Sequence, residues 1–423
     1  MTLLTRLRSR IQRQRFPIRY RELDRLLKSQ RLSTATLQQQ QQQQLQQIVT
    51  HAAEQVPFYQ TRLSEWDGTL VSLPILTKQE VQHHLDDLLS STHDPAHTKV
   101  GYTGGSTGAP VAYYYDEEKI EKMRGGQYRS FMQCGWQPGD RVLQLWGAAQ
   151  DLSSTSLLAR WIAAEETVAA AIFDEATLHY WYQRLIQYRP SVVRGYPSIL
   201  AALANFMIDQ QLPPPSTLLG CFSTAEVLYP HQRSNIEQAL ECKVYNQYGS
   251  REIPNISCEC AHGNQHIFTD LVAVESVEQE GEPQLLITSL TNRLMPMIRY
   301  QIGDLGRLLD EPCSCGSPFP LMEMEVCRSN DLIQAPNGRQ IYPSWLIHLL
   351  DEIEGIEQFQ FHQPSQERLL LQFIAEGEHP LDPALLEQKI HAEMGAAMQL
   401  SVEQVKEIPR NRSGKHRFVS SDL

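Results

Sequence analysis

Three stretches of this 423-residue sequence carry residue types that do chemistry. The first is Gly101-Tyr-Thr-Gly-Gly-Ser-Thr-Gly-Ala-Pro-Val111, in which Thr103, Gly104, Gly105, Ser106, Thr107 and Gly108 alternate glycine with hydroxyl side chains. Such a loop can wrap anionic oxygens, because glycine lets the backbone come close and the amides and hydroxyls donate to phosphate. It lacks the Gly-Lys-Ser/Thr of a Walker loop and the spacing of a dinucleotide fingerprint. Alone, it reads equally as a phosphate cradle or an ordinary surface loop. The second stretch pairs Cys258-Glu-Cys260-Ala-His262 and His266 with a later Cys313-Ser-Cys315. Zinc takes four thiolate or imidazole ligands in a tetrahedron, commonly two from each of two tight turns. The pattern predicts a structural zinc site closed by protein, with free thiols or a redox pair as alternatives. The third is Ile408-Pro-Arg-Asn-Arg-Ser-Gly-Lys415, a basic segment that reads either as solvated or as a charge presented on a tight turn.

These segments need elements to hold them. Short β-branched or apolar runs at 141–145, 192–194, 218–223, 243–245 and 284–288 alternate with helical stretches. That alternation predicts an α/β domain around a mostly parallel sheet. Beyond Arg328 the pattern becomes short strands with two helices, a small α+β unit. A run of seven glutamines, Gln38–Gln44, is bridged by Leu37, Leu45, Ile48, Val49, Ala52, Ala53 and Val56 at three- and four-residue spacings. Glutamine is a fair helix former, so the spacing predicts one amphipathic helix ending before Pro57 rather than a disordered tract.

Composition narrows the class. The chain is 41% hydrophobic with net charge −12, which disfavours generic nucleic-acid binding. Eight cysteines are too sparse for a disulfide scaffold, and no apolar run is long enough to span a bilayer. The start lacks the apolar segment and cleavage site of a secretory signal, so a cytoplasmic protein is expected. Residues 1–21 stand apart, with seven arginines, no acid, and Leu3, Leu4, Leu7 and Ile11 on one side of a helix. This segment reads as a solvated helix, as a weak contact to an anionic lipid surface or acidic partner, or as a presequence-like leader.

Four further segments follow the glycine-rich loop in order: Cys221-Phe-Ser-Thr-Ala-Glu226, Tyr245-Asn-Gln-Tyr-Gly-Ser-Arg-Glu252, Ile298-Arg-Tyr-Gln-Ile-Gly-Asp-Leu-Gly-Arg307, and the segment ending at Lys415. This ordered set resembles the adenylate-forming superfamily of acyl-CoA synthetases, peptide-synthetase adenylation domains and luciferases. Arg194-Gly-Tyr-Pro-Ser198, Tyr-Gly-Ser-Arg-Glu, the Cys-x-Cys pairs, Val56-Pro-Phe-Tyr59 and Leu73-Pro-Ile-Leu-Thr-Lys78 are similar in particular to the phenylacetate–CoA ligase and coenzyme F390 synthetase branch.

The resemblance implies a large N-terminal α/β domain over 1–329, helical over 1–60, and a small mobile α+β domain over 330–423. It implies that Thr103 to Gly108 hold the ATP phosphates. Glu226, Asn246, Gln247, Tyr248, Gly249 and Ser250 would line the nucleotide, Asp304 would accept from the ribose hydroxyls, and Arg307 and Arg328 would contact ribose or phosphate. Glu252 would bind Mg²⁺, and Lys415 would bridge the acid and the α-phosphate. The acid would sit near Tyr196, Thr224, Ala225, Glu226 and Tyr248, and the zinc ligands would be Cys260, His266, Cys313 and Cys315, with Cys258 or His262 as substitutes. Cys134, Cys221, Cys242 and Cys327 would be isolated thiols. Two positions depart from the family pattern: Ala109 stands where a loop lysine is usual, and the hinge reads Cys327-Arg-Ser-Asn330.

The implied activity is that of an AMP-forming acid–thiol ligase. ATP activates an aryl or compact carboxylic acid to acyl-AMP, and CoA or a carrier-protein phosphopantetheine takes the acyl group. Transfer to a hydroxyl or amine, or a homologue without turnover, are the alternatives.

Overall fold

The computed structural model describes residues 3–63, 66–102, 111–146, 157–170, 175–279, 282–328, 333–341, 346, 349–350, 356–375, 381, 383–408 and 419–423. The chain opens with helices α1 (Leu3–Arg15), α2 (Pro17–Ser29), α3 (Thr34–Gln55), α4 (Pro57–Arg62) and α5 (Lys78–His83). A hairpin of β1 (Lys99–Tyr102) and β2 (Ala112–Tyr115) follows, then α6 (Glu117–Phe131). The next stretch is β3 (Val142–Trp146), α7 (Leu157–Ala163), β4 (Glu165–Ala169), α8 (Glu175–Tyr188), β5 (Val192–Gly195), α9 (Pro197–Asp209), β6 (Gly220–Thr224), α10 (Pro230–Leu240) and β7 (Val244–Tyr248). After these come β8 (Ser257–Glu259), β9 (Gln265–Ile267), β10 (Val272–Gln279), β11 (Glu282–Ser289), β12 (Tyr300–Leu309) and β13 (Leu321–Arg328). The last part holds β14 (Ile333–Gln334), β15 (Gln340–Ile341), β16 (Ile356–Ser365), β17 (Arg368–Ala375), α11 (Pro383–Met394), β18 (Gln399–Gln404) and β19 (Val419–Ser421). Among the described residues no helix is long and apolar enough to cross a membrane.

The glutamine tract lies inside α3. Ser33 caps the helix by accepting from the Thr36 N–H, and Leu37, Leu45, Ile48, Val49 and Ala52 are buried on one face. Val56 is extended, as a residue before proline must be, and the helix stops there. The glutamines point along the flank, where Gln41 donates to the Val272 carbonyl at 2.8 Å.

One sheet of eleven strands, ordered β10-β11-β12-β13-β9-β8-β7-β6-β5-β3-β4, dominates the large part. The five expected strand segments are all in it. The expectation of a mostly parallel sheet is corrected: β4, β3, β5, β6 and β7 are parallel, but every ladder from β7 through β8 to β10 is antiparallel. The reason is local: β7 to β13 are joined by turns without helices, and short connections can join only antiparallel neighbours.

Alternation along the parallel strands builds two cores. Val142, Val192, Phe222 and Tyr245 face one way, onto Tyr20, Leu23 and Leu26 of α2 and Tyr128 and Phe131 of α6. Leu143, Leu145, Val193, Cys221 and Val244 face the other, onto Trp181 of α8, Ile199 and Leu203 of α9 and Ile236 of α10. Burial on both faces explains why β3, β5 and β7 begin with adjacent apolar residues, Val142-Leu143, Val192-Val193 and Val244-Tyr245. The final part has its own four-stranded sheet, β18-β17-β16-β19, with a core of Phe361, Leu369, Leu371, Ile390 and Met394.

Candidate active site and metal centre

On the α2/α6 face the parallel strands change character towards their carboxyl ends. Beyond Val142 and Val192 come Gln144, Trp146 and Arg194, and beyond Phe222 and Tyr245 come Thr224 and Gln247. Ligands of open α/β sheets bind at this end, where strands stop and side chains are free to turn outward. The Arg194 guanidinium donates to Gln247 Oε1 at 3.0 Å and Gln144 Oε1 at 3.2 Å, and lies 4.8 Å from the Trp146 ring centre. Burial lowers its pKa to about 10. Tyr196 is buried and packs on Trp146 at 4.8 Å. Ala225, just past β6, has φ of +74°, a left-handed conformation that a residue with a Cβ adopts only under constraint. Glu226, next along, accepts from the Ser198 N–H at 3.1 Å and so sits at the N-terminus of α9.

The Tyr-Gly-Ser-Arg-Glu segment leaves β7 as a tight loop. A Cβ on Gly249 would lie 2.8 Å from the Asn255 nitrogen, so only glycine lets the loop fold back. The Ser250 N–H donates to the Ile253 carbonyl and its hydroxyl accepts from the Ile253 N–H. At the tip Glu252 is only 4% exposed. Its Oε1 accepts from the Tyr300 hydroxyl at 3.3 Å, while its Oε2 is buried without a hydrogen-bond partner. That orphaned oxygen, in a carboxylate facing a cleft of about 330 Å³ shared with Asp116, Lys119 and Asn255, suits a hard divalent cation. Arg251 donates to the Tyr102 carbonyl at 3.0 Å, joining this loop to the end of β1, where the glycine-rich loop begins.

Tyr248 and Asp304 come together: the tyrosine hydroxyl donates to Asp304 Oδ2 at 3.0 Å. Asp304 is buried beside a register shift in the β12–β13 ladder and faces Arg328 across it. Arg307, three residues on, is exposed. Asn246 accepts from the Ser223 hydroxyl at 3.1 Å. Thr103 to Gly108, Ala109, Asn330 and Lys415 lie outside the described residues, as does the Arg328 side chain.

Sequence reasoning missed Lys119, Trp146, Gln144 and Arg194. Lys119 lies 4.3 Å from the Tyr113 ring centre, and burial lowers its pKa to about 8 against the pull of Glu252 and Asp116. In sequence it is one more charged residue in the first turn of a helix.

The cysteine cluster forms at the junction of β8–β9 with the loop between β12 and β13. The ligand atoms of Cys260, His266, Cys313 and Cys315 all lie within 4.8 Å of one another. Zinc–sulfur bonds of ~2.3 Å in a tetrahedron hold two sulfurs about 3.8 Å apart, and Cys260 Sγ and Cys313 Sγ are 3.8 Å apart. His266 Nδ1 is 2.9 Å from the Phe319 carbonyl and donates to it, which leaves Nε2 with its lone pair 3.3 Å from Cys315 Sγ. Each sulfur accepts a backbone N–H: Cys260 from His262, Cys313 from Cys315, and Cys315 from Ser317. Burial raises the Cys313 pKa, but hydrogen bonds from the Cys315 N–H and the Asn264 amide outweigh it and bring the thiol to about 6. Burial, with Cys313 and Cys260 beside it, pushes Cys315 up to about 11. A bare cluster resists a second thiolate, and a cation would relieve that. His262 is exposed and pairs with the Ser314 hydroxyl, while Cys258 is buried in the main core with its thiol pushed up by burial. Neither joins the cluster. Burial also raises Cys134 to about 11 and Cys242 to about 12, as for inert thiols.

Residues 333–422 match the family model of the CapK C-terminal domain. Phenylacetate-coenzyme A ligase of Thermus thermophilus is 26% identical, over 89% of this chain and 94% of that protein. Protein CapK of Staphylococcus aureus is 23% identical, over 83% and 80%. Among solved structures, 2-hydroxyisobutyryl-CoA ligase in the postadenylation state superposes with a TM-score of 0.72 at 19% identity, covering 93% of this chain and 91% of that one. An anthranilate CoA ligase bound to anthranoyl-AMP superposes at 0.52 and 16% identity, covering 75% and 65%. Over most of its length the chain is thus similar to phenylacetate-coenzyme A ligases and to protein CapK, and it shares the fold of 2-hydroxyisobutyryl-CoA ligase.

Proposed function

We propose that this protein is an AMP-forming acid–thiol ligase. A carboxylate oxygen of the acid attacks the α-phosphorus of ATP, and the bond to pyrophosphate breaks. The thiolate of CoA then attacks the acyl carbon, and AMP leaves. CoA is favoured over a carrier protein because several related proteins are named as CoA ligases.

The observation that carries this reading is Glu252, a buried carboxylate with one oxygen unpartnered, on a loop whose root holds the Tyr248–Asp304 pair. Two anions must meet during adenylation, so the site needs fixed positive charge where negative charge builds. Glu252 would hold Mg²⁺, which supplies that charge. Lys119, beside it, adds a second cation in a chain that has Ala109 in its phosphate loop. Asp304, fixed by Tyr248, offers acceptor oxygens for the ribose diol. Thr103 to Gly108 would wrap the outer phosphates, with Gln247, Gly249, Ser250, Arg307 and Arg328 around the nucleotide. Lys415 would reach the α-phosphate from a C-terminal domain that begins at 330. The acid would occupy the strand ends at Tyr196, Thr224 and Ala225, where Trp146 supports an aryl or compact substrate. The cluster of Cys260, His266, Cys313 and Cys315 would bind structural zinc, and the free thiols fit a cytoplasmic protein.

Pyrophosphate release is the test, measured over aryl, short-chain and amino acids with and without CoA. Release accompanied by an acyl-CoA thioester is expected. Release with no thioester moves the acceptor to a hydroxyl or amine, and no release with any acid overturns the reading.

A further inference from the structure

Helix α1 is built inside out. A surface helix ordinarily turns its apolar stripe to the core. Here the residues against the body are polar: Thr5 bonds Asp140, Arg8 donates to the Gly139 carbonyl at 2.9 Å, and Gln12 donates to the carbonyls of Ile162 and Ala163. The contact is close enough that a Cβ on Gly139 would strike the Thr5 carbonyl. The leucines are left outside, Leu3 86% exposed, Leu4 43% and Leu7 50%. The neighbouring α7 does the same. Its Leu158 and Trp161, three residues apart and so on one face, are exposed, and the Arg8 guanidinium lies 5.7 Å from the Trp161 ring centre. Arg6, between Leu4 and Leu7, and Arg10, one turn beyond Leu7, are exposed.

We propose that the outer faces of α1 and α7 dock on an anionic bilayer surface. Leu3, Leu4, Leu7, Leu158 and Trp161 would enter the boundary between headgroups and acyl chains, while Arg6 and Arg10 meet lipid phosphates. Leucine and tryptophan flanked by arginine is the composition of a helix that lies in that boundary. Charge complementarity selects the occupant. Residues 1–21 carry no acid in a chain of net charge −12, so this face is drawn to an anionic surface that repels the acidic remainder. A second copy fits less well, because a two-fold contact through this face would set Arg6 and Arg10 against their own equivalents.

The test is co-sedimentation of the full chain with vesicles of phosphatidylcholine, alone or with about one third phosphatidylglycerol. Binding to the anionic vesicles is expected, weakened by salt. It should fall about tenfold or more in the Leu3→Ser/Leu4→Ser/Leu7→Ser variant and likewise in Arg6→Glu/Arg10→Glu. Both variants change exposed side chains, so pyrophosphate release should stay at the parent level and report an intact fold. Three results overturn the proposal: parent protein that stays in the supernatant with anionic vesicles, binding indifferent to both variants, or a dimer in ultracentrifugation that the leucine variant dissolves while vesicles capture nothing.

Discussion

At the scale of single residues, the informative group is Glu252. A buried oxygen with no hydrogen-bond partner costs about 1–3 kcal/mol, a cost that persists only where something else uses the group. Glu252→Gln keeps an acceptor for the Tyr300 hydroxyl and removes the charge. We expect pyrophosphate release to fall about 10²-fold or more, on the scale of removing one transition-state electrostatic contact. Thermal stability should be unchanged or slightly raised. A variant with parental turnover would remove Glu252 from the chemistry. Glu252 and Asp304 stand out as candidates in the sequence because each lies in a run of several specific residues. Lys119 and Arg194 do not. Lys119 is a lone cation in a helix, and Arg194 opens a recognisable motif that names no role for it; the meaning of each comes from neighbours, Glu252 and Gln247, that are distant in the chain.

Elements show the same division between what is local and what is assembled. The helix through the glutamine tract could be read because capping, spacing and a following proline are all local signals. The antiparallel half of the sheet could not, since parallel or antiparallel pairing depends on connections rather than on the strands. For α1 the sequence left solvent, lipid and partner contact open for a related reason: an apolar stripe names a face but not the direction it points. Between elements, two links make testable claims. If the cysteine cluster binds zinc, it clips β8–β9 to the loop before β13. The Cys313→Ser/Cys315→Ser variant should then lose about one equivalent of metal per chain. Metal release should quicken as pH falls, because protons compete for the thiolates. Metal-free parent protein by elemental analysis would refute the site. The second link is the Arg129–Asp270 pair, 2.6 Å apart with both side chains 2% exposed, which ties α6 to the start of β10. Arg129 also lies 3.9 Å from the Phe268 ring centre, and Asp270 accepts from Ser29 of α2 as well. Asp270→Ala strands a buried guanidinium, so unfolding free energy should drop by about 3–5 kcal/mol. A denaturation midpoint near the parent value would show that water reaches this pair.

At the scale of the whole molecule, the eleven-stranded and four-stranded sheets have separate cores, and among the described residues Tyr229, at the start of α10, is a buried residue of the large part that joins the core of the four-stranded sheet. A cation needed only while two anions approach is best carried on a part that can withdraw, since one fixed in place would hold the product as tightly as the transition state. On the proposed reading Lys415 is that cation. The two half-reactions should therefore separate. Lys415→Ala, measured as pyrophosphate release, should lose about 10³-fold or more of its adenylation, as expected when a charge contact made chiefly in the transition state is removed. The same variant, given preformed acyl-AMP and CoA, should make thioester within a few-fold of the parent rate, because the thiol attacks a bond already activated. Equal loss in both halves would mean that Lys415 supports the fold or binds AMP throughout. Loss in neither would place the adenylating charge on Lys119 and Arg251, at the root of the phosphate loop.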